Sequence, residues 1–177
     1  MSKLEYWNDK WEIEELVRNA GFKSWTILRP TWVMENLAQP AAQFMFPELK
    51  KEQIYTVLNA ETHLDMVAAE DVGAFGRAAL EDPIGFNGKN IDLAGDSITM
   101  NEVAFHLSHF LGKKIKSVSL LPSEALSQGL HPSVVNSQAY RNKVGFQVDI
   151  EKLKEYGIPL TKFESWARKN ISNIDVE

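Results

Sequence analysis

Tyr6 and Lys10 are residues whose types and spacing could support chemistry. They lie four positions apart in a predicted helix over 3–20, so their side chains share one face. An ammonium group beside a tyrosine hydroxyl lowers the pKa of that hydroxyl, because the cation favours the phenolate. Such a pair can donate a proton in carbonyl reduction. The alternative is that Lys10 only forms a surface ion pair with Glu14, which stabilises a helix little.

The elements around this pair predict the start of an α/β unit. The helix ends at Gly21, a residue type that favours the left-handed conformation that closes helices. The next segment, SWTILRP over 24–30, is rich in strand-forming residues and ends at Pro30, which cannot continue an interior ladder. A helix, a glycine turn and an apolar strand indicate half of a parallel α/β unit.

Further elements follow from hydrophobic periodicity and turn residues. We predict a short helix within 38–49, longer helices over 69–81 and 99–112, and strands at 54–58, 64–67, 90–93 and 115–121. Thr99 and Glu102 form a possible capping box, and Gly112 ends that helix. The remainder is mostly helical and closes with a helix that begins near Thr161. No repeat or linker interrupts the chain, so the predicted class is α/β in one unit.

Composition excludes several classes of protein. The 177 residues include 19 basic and 24 acidic side chains, and the net charge of −5 argues against a nucleic-acid partner. The absence of cysteine excludes disulfides and thiolate metal sites. We expect no membrane span or secretory signal and a cytoplasmic location. His106 and His109 lie three apart on a predicted helix without acidic ligands nearby, so we predict no metal site.

The stretch over 6–37 resembles the NmrA-like family, an atypical branch of the short-chain dehydrogenase/reductase superfamily. The resemblance is carried by Lys10, Gly21, the TILRP run over 26–30 and the MEN run over 34–36. The segments HLDMVAAEDVGAFGRAALEDP and NGKNIDLAGDSITMNEVAFHLSHFLGKKI also resemble that family. The resemblance implies a remnant of a Rossmann-like parallel sheet, a smaller α+β substrate lobe and a helical C-terminus. It implies one unit over 1–177, with 1–45 in the core and 46–177 in a substrate lobe that partly returns to it.

The resemblance also implies the site residues. Lys10 matches the lysine that reaches the nicotinamide ribose of NADP, and Tyr6 stands where the wider superfamily has its catalytic tyrosine. The segment that closes over the nicotinamide would comprise Val33, Met34, Glu35 and Asn36. The substrate side of the cleft would be lined by Thr31 and Trp32.

Structural alternatives stand beside these roles. Arg29 and Glu35 could form an ion pair, Met34 could belong to the core, and Asn36 could cap the following helix. The position of Tyr6 is also filled by other residues in many family members.

The chain lacks the G-x-x-G-x-x-G turn that binds the pyrophosphate in this family. We therefore expect the first half of the fold to be missing and NADP binding to be weak or absent. The strand over 25–28 would then have an open edge, which predicts homo-oligomers or association with another chain.

Two functions from different classes follow from the resemblance. One is an NADPH-dependent oxidoreductase acting on small carbonyl or quinone-like substrates, with activity in this shortened form left open. The other is a non-catalytic redox-sensing or regulatory protein that acts through protein contacts. A plain ligand-binding or dimerisation module is a third possibility.

Overall fold

The computed structural model describes residues 5–145 and 148–177, with side chains from Asn8 onward. The described helices are Glu5–Asn19 (α1), Ala42–Met45 (α2), Ala69–Glu81 (α3), Met100–Leu111 (α4), Pro122–Ser127 (α5), Pro132–Val144 (α6), Ile150–Leu153 (α7) and Phe163–Asn170 (α8). The strands are Thr26–Pro30 (β1), Trp32–Val33 (β2), Gln53–Thr56 (β3), His63–Val67 (β4), Lys89–Leu93 (β5), Asp96–Thr99 (β6) and Lys116–Ser119 (β7). Short 3₁₀ turns span Met34–Leu37, Pro47–Lys51, Lys154–Tyr156 and Ile171–Asn173.

Parallel pairing dominates the sheets. β1 pairs with β5, β2 with β4 and β3 with β7, all parallel, whereas β6 runs antiparallel to β4. Two backbone bonds continue this pairing beyond the strand ends. Thr31 N–H, just after β1, donates to the Leu93 carbonyl of β5 at 3.0 Å. Gly95 N–H, just after β5, donates to the Met66 carbonyl of β4 at 2.6 Å. The predicted α/β class with a helical C-terminal portion is confirmed.

Helices cover β1 on both faces. On one face, a Cβ atom added to Gly76 of α3 would lie 3.9 Å from Leu28 Cδ1. On the other face, Arg29 of β1 contacts Glu14 of α1. Since successive strand residues point to opposite faces, β1 lies between α1 and α3 in a three-layer arrangement.

The strand β6 was not predicted, because the sequence pattern indicated a strand ending at Gly95 followed directly by a helix. The chain approaches the C-terminal segment closely at Gly95, where an added Cβ would lie 2.4 Å from the Thr161 carbonyl oxygen. Only glycine fits there, and the chain then returns antiparallel to β4. The predicted strand over 115–121 is shorter than expected, at Lys116–Ser119.

The predicted capping box at the start of α4 and the predicted glycine at its end are confirmed. Thr99 accepts a bond from Glu102 N–H, and the Glu102 carboxylate accepts one from Thr99 N–H at 2.7 Å, which completes the capping box. Gly112 has a φ of 64° at the other end.

The largest group of buried side chains lies between the β2–β4–β6 sheet, α4 and α8. Its fully buried members include Met34, Leu37, Ile54, Met66, Val103, Leu107 and Phe163. A second group, around Phe75, Ile91 and Leu93, lies between α3 and β5. The C-terminal helix is therefore part of the main core. Within the described residues, every helix is too short or too polar to cross a bilayer.

Candidate functional site

Polar contacts hold α1 on β1. Arg29 donates from Nε and Nη2 to the two carboxylate oxygens of Glu14 at 2.7 and 2.6 Å. One turn further along α1, Arg18 donates to Glu14 at 2.7 Å and to the Asn90 side-chain oxygen of β5 at 2.7 Å. These bonds fix how the helix is aligned with the strands.

That alignment brings Lys10 to the carboxyl end of β1. Arg18 contacts Asn90, which is in register with Ile27, and Glu14 contacts Arg29, two residues further along β1. Four helix residues rise about 6 Å, and two strand residues advance about 6.6 Å. By the same spacing, one more turn toward the helix N-terminus would bring Lys10 near the level of Thr31. The Lys10 side chain is exposed.

Tyr6 lies one further turn toward the start of α1, within the helix Glu5–Asn19. Its side chain lies outside the described residues, so its proposed catalytic role stays a prediction.

The two predicted substrate-lining residues follow β1 directly, and both have contacts within the fold. Thr31 donates its hydroxyl to the Leu93 carbonyl at 2.8 Å. The Trp32 ring meets the Phe46 ring edge-on, with the ring centroids 5.8 Å apart. Both side chains are half-buried, so each has a part that faces solvent.

The predicted nicotinamide segment turns two of its four side chains inward. Met34 is fully buried in the main core. Glu35 accepts a bond from the Ala69 N–H at 3.0 Å and another from the Trp166 indole N–H at 3.0 Å. The first bond satisfies an amide at the N-terminus of α3, where a negative charge is also favourable. Glu35 therefore connects the candidate site to α3 and α8.

Val33 and Asn36 are half-buried, and Val33 packs beside the second group of core residues. The alternative ion pair of Arg29 with Glu35 is wrong. The Arg29 guanidinium pairs with Glu14, and the Glu35 carboxylate accepts from the Ala69 N–H. Asn36 lies inside the turn Met34–Leu37, and the residue before α2 is Ala41, so Asn36 does not cap that helix.

Hydrogen bonds between α1 and β1 shift the pKa values of Glu14 and Arg29. The Arg29 guanidinium, by hydrogen bonding, holds the pKa of Glu14 below its ordinary value; burial opposes this shift and Arg18 adds to it. The Glu14 side chain is only 14% exposed, whereas the Arg29 side chain is 39% exposed, so solvent reaches the arginine side of the pair. The contact with Glu14 likewise raises the pKa of Arg29.

A buried carboxylate on β4 was not among the predicted residues. Asp65 is 3% exposed and accepts bonds from the Ser97 hydroxyl at 2.6 Å and the Val148 N–H at 3.1 Å. Burial lowers the pKa of Arg141, while the nearby charges of Tyr140 and Asp65 oppose that shift. An aspartate within the apolar run LDMV is the sequence signal that could have indicated this position.

Two further carboxylates hold the start of α8. Asp71, 4% exposed, accepts bonds from the Thr161 N–H and hydroxyl, both at 2.8 Å. Asp96 accepts one from the Phe163 N–H at 2.9 Å, at the helix N-terminus. Together with Glu35, they attach the C-terminal segment to α3, β6 and the turn Met34–Leu37.

A cleft of about 430 Å³ lies between α7, Gly95 and the segment over 157–162. Its charged side chains include Lys154, which pairs with Glu151, and Lys162, which pairs with Asp96. The predicted site residues do not line this cleft.

The architecture is that of an α/β protein with a partly exposed segment at the carboxyl end of a parallel strand. Ligands of open α/β sheets bind in this position.

Comparison with known proteins agrees with this architecture. The model of the NmrA-like family matches residues 1–163. The chain belongs to the NmrA-like family.

Similar proteins include enzymes and a regulator. Agroclavine dehydrogenase of Claviceps fusiformis is 27% identical over 101 residues, or 57% of this chain and 35% of that protein. An NADPH-dependent quinone oxidoreductase from Escherichia coli, solved with NADPH, has a TM-score of 0.75 at 22% identity, over 98% of this chain and 62% of that chain. NmrA, a negative transcriptional regulator solved with NADP, has a TM-score of 0.67 at 16% identity, over 93% of this chain and 59% of that chain. This chain thus spans less than two thirds of each.

Proposed function

We propose that the protein is an NADP-linked member of its family, related to NADPH-dependent oxidoreductases that act on small carbonyl or quinone-like substrates. The observation that supports the proposal is the pair of bonds by which Arg29 of β1 holds Glu14 of α1, one helical turn after Lys10. A lysine in that position can reach a ligand bound beyond the strand end.

The residues at this end suit the nicotinamide half of the cofactor. Glu35 turns its carboxylate toward Ala69 and Trp166, so its charge is satisfied within the protein. Val33 and Asn36 leave apolar and neutral polar surface partly exposed, which is compatible with a nicotinamide ring and its amide. NADPH, when bound, would supply a hydride to the substrate.

The protein would supply binding and orientation. Lys10 would donate hydrogen bonds to the ribose hydroxyls, Val33 would contact the ring, and Asn36 would bond the carboxamide. Tyr6 would provide the proton to the substrate oxygen, and Thr31 and Trp32 would border the substrate. Met34 and Glu35 would act indirectly, by holding the segment in place. We expect weak affinity, because the sequence lacks the glycine-rich turn for the pyrophosphate.

Calorimetric titration with NADPH tests this proposal, with Lys10→Ala as the site variant and Lys143→Ala as the matched control. Lys143 is also an exposed helical lysine, at the far end of α6. We expect Lys10→Ala to weaken binding about 10- to 100-fold, as for a lost hydrogen bond from a charged donor. Equal affinity of both variants would contradict the role of Lys10, and a folded protein that binds no NADPH would contradict the cofactor proposal.

The alternative function is a non-catalytic redox-sensing regulator that acts through protein contacts. It is favoured by apolar side chains exposed on α1, including Leu16 at 71% exposure. The regulator NmrA, whose fold is similar, was solved with NADP bound. Assays of NADPH oxidation with a panel of quinones separate the two functions. Turnover lost in Tyr6→Phe and Lys10→Ala supports the enzyme, whereas NADPH binding without turnover supports the regulator.

A further inference from the structure

The segment Met34–Leu37 is a short 3₁₀ turn that follows β2. A turn of this length is not stable by itself, because it fixes several residues for few hydrogen bonds. Val33, the residue before it, has no polar side chain with which to cap it. Met34 and Leu37 are fully buried, whereas the other side chains over 33–36 are half-buried. The position of these half-buried side chains is therefore set by whatever holds the turn from inside.

The C-terminal part of the chain holds this turn near its start and just after its end. The Trp166 indole N–H donates to one carboxylate oxygen of Glu35 at 3.0 Å. The Gln39 N–H donates to the Asn173 carbonyl at 2.8 Å. Trp166 is 2% exposed, and a buried indole N–H needs an acceptor. The bond to Glu35 therefore joins α8 to the turn at a place that water does not reach.

The helix α3 closes these contacts into a ring. The other Glu35 carboxylate oxygen accepts from the Ala69 N–H, the first amide of α3, at 3.0 Å. In the same turn of α3, Asp71 accepts from the N–H and the hydroxyl of Thr161, just before α8. The turn, α3 and α8 thus hold one another, and the Glu35 carboxylate bonds to both helices.

We propose that Trp166 is a positioning residue for the segment over 33–36, so that the conformation of this segment depends on the docking of α8. Trp166 is buried, so it acts through Glu35 and thereby sets where Val33 and Asn36 lie. That the ligand of this segment is NADPH rests on the function proposed above. The positioning itself is a property of the chain without a ligand.

Hydrogen exchange without NADPH tests the positioning, with Trp166→Phe as the variant. Phenylalanine keeps a buried aromatic ring but has no indole N–H. The Ala38 N–H donates to the Glu35 carbonyl and the Ala69 N–H to the Glu35 carboxylate, so both amides report on the turn. We expect both to exchange about 10-fold faster in the variant, as for a lost hydrogen bond to a charged group.

Two controls separate this local effect from a general loss of stability. The amides of β7 should exchange in Trp166→Phe as they do in the unaltered chain. Trp25→Phe is the matched substitution, because Trp25 is a half-buried tryptophan just before β1, beneath the Arg18 guanidinium. It should leave the Ala38 and Ala69 amides unchanged.

A double variant tests whether Trp166 acts through Glu35. The substitutions Trp166→Phe and Glu35→Gln both weaken the same contact, so their effects should not add. We expect the Ala38 amide of the double variant to exchange about as fast as in the more affected single variant. Effects that simply add would overturn the inference, as would Ala38 and Ala69 amides that exchange in Trp166→Phe as in the unaltered chain.

Calorimetric titration with NADPH tests the consequence for the cofactor. We expect Trp166→Phe to raise the Kd for NADPH about 10-fold, because the segment spends less time in the binding conformation. Equal affinity of this variant and the unaltered chain would overturn the link to the cofactor. Faster exchange in Trp166→Phe, with no NADPH binding by the unaltered chain, would leave the positioning role intact and contradict only the function proposed above.

Discussion

At the scale of single residues, Glu14 determines how α1 lies on the sheet, because it binds Arg18 and Arg29 at once. We predict that Glu14→Gln lowers the free energy of unfolding by about 1–2 kcal/mol at pH 7, as expected for hydrogen bonds to charged groups. Urea denaturation measures this change. Glu12→Gln is the control, because Glu12 is an exposed acid on the same helix, and it should change stability little.

The same residue makes a prediction about pH. The pKa of Glu14 is lower in the folded protein than its ordinary value, so the unfolded chain binds the proton more readily. The stabilisation by Glu14 is therefore complete above the ordinary value and disappears as the pH falls through the folded pKa. The difference in unfolding free energy between the unaltered chain and Glu14→Gln should shrink below about pH 4. A difference that stays constant down to pH 3 would contradict this assignment.

At the scale of elements, α6 depends on side-chain amides for its position. Only Val135 of this helix is buried. Gln138 accepts a bond from Val57 N–H at 2.6 Å, and Asn142 accepts one from Asn59 N–H at 2.9 Å and donates to the Val57 carbonyl at 2.8 Å. The helix therefore satisfies the backbone of the loop that connects β3 and β4.

We predict that Asn142→Ala lowers the free energy of unfolding by about 2 kcal/mol, because it removes several of these bonds. Hydrogen exchange should show faster exchange in the loop over 57–62, above all at the Asn59 amide, which loses its acceptor. Asn136→Ala, at an exposed position of the same helix, serves as the control and should leave the loop unchanged. Equal exchange in both variants would show that the loop does not need Asn142.

At the scale of the whole molecule, α8 joins the main core and the candidate site. Trp166 is 2% exposed, stacks on Phe163 with the ring centroids 5.6 Å apart, and donates to Glu35. We predict that Trp166→Ala lowers the free energy of unfolding by about 3–5 kcal/mol, as for other buried aromatic residues. Ser165→Ala, an exposed neighbour, should have little effect in the same urea titration. A loss below about 1 kcal/mol for Trp166→Ala would contradict a core role.

The sequence predicts the parts of the fold that depend on near neighbours. The period of α1, the glycine after it and the capping box of Thr99 and Glu102 all act within a few residues, so their patterns are readable. The strand β6 depends on the approach of Gly95 to Thr161, which is distant in sequence. No local pattern indicates such an approach.

The same distinction holds for the candidate site. The four-residue spacing of Tyr6 and Lys10 predicts a shared helix face. The position of Lys10 along β1, however, depends on the contact of Glu14 with Arg29. The structural role of Glu35 depends on Trp166, which is 131 residues away. Side chains joined over such distances are identified only once the chain is folded.

The bond between Glu35 and Trp166 has a practical consequence for spectroscopy. Indole emission depends on the polarity around the ring, and Trp166 is buried and bonded to the segment over 34–36. A variant that keeps Trp166 as its sole tryptophan would carry an intrinsic fluorophore attached to that segment. A shift in its emission maximum during titration with NADPH would then report a rearrangement of the segment without any added label.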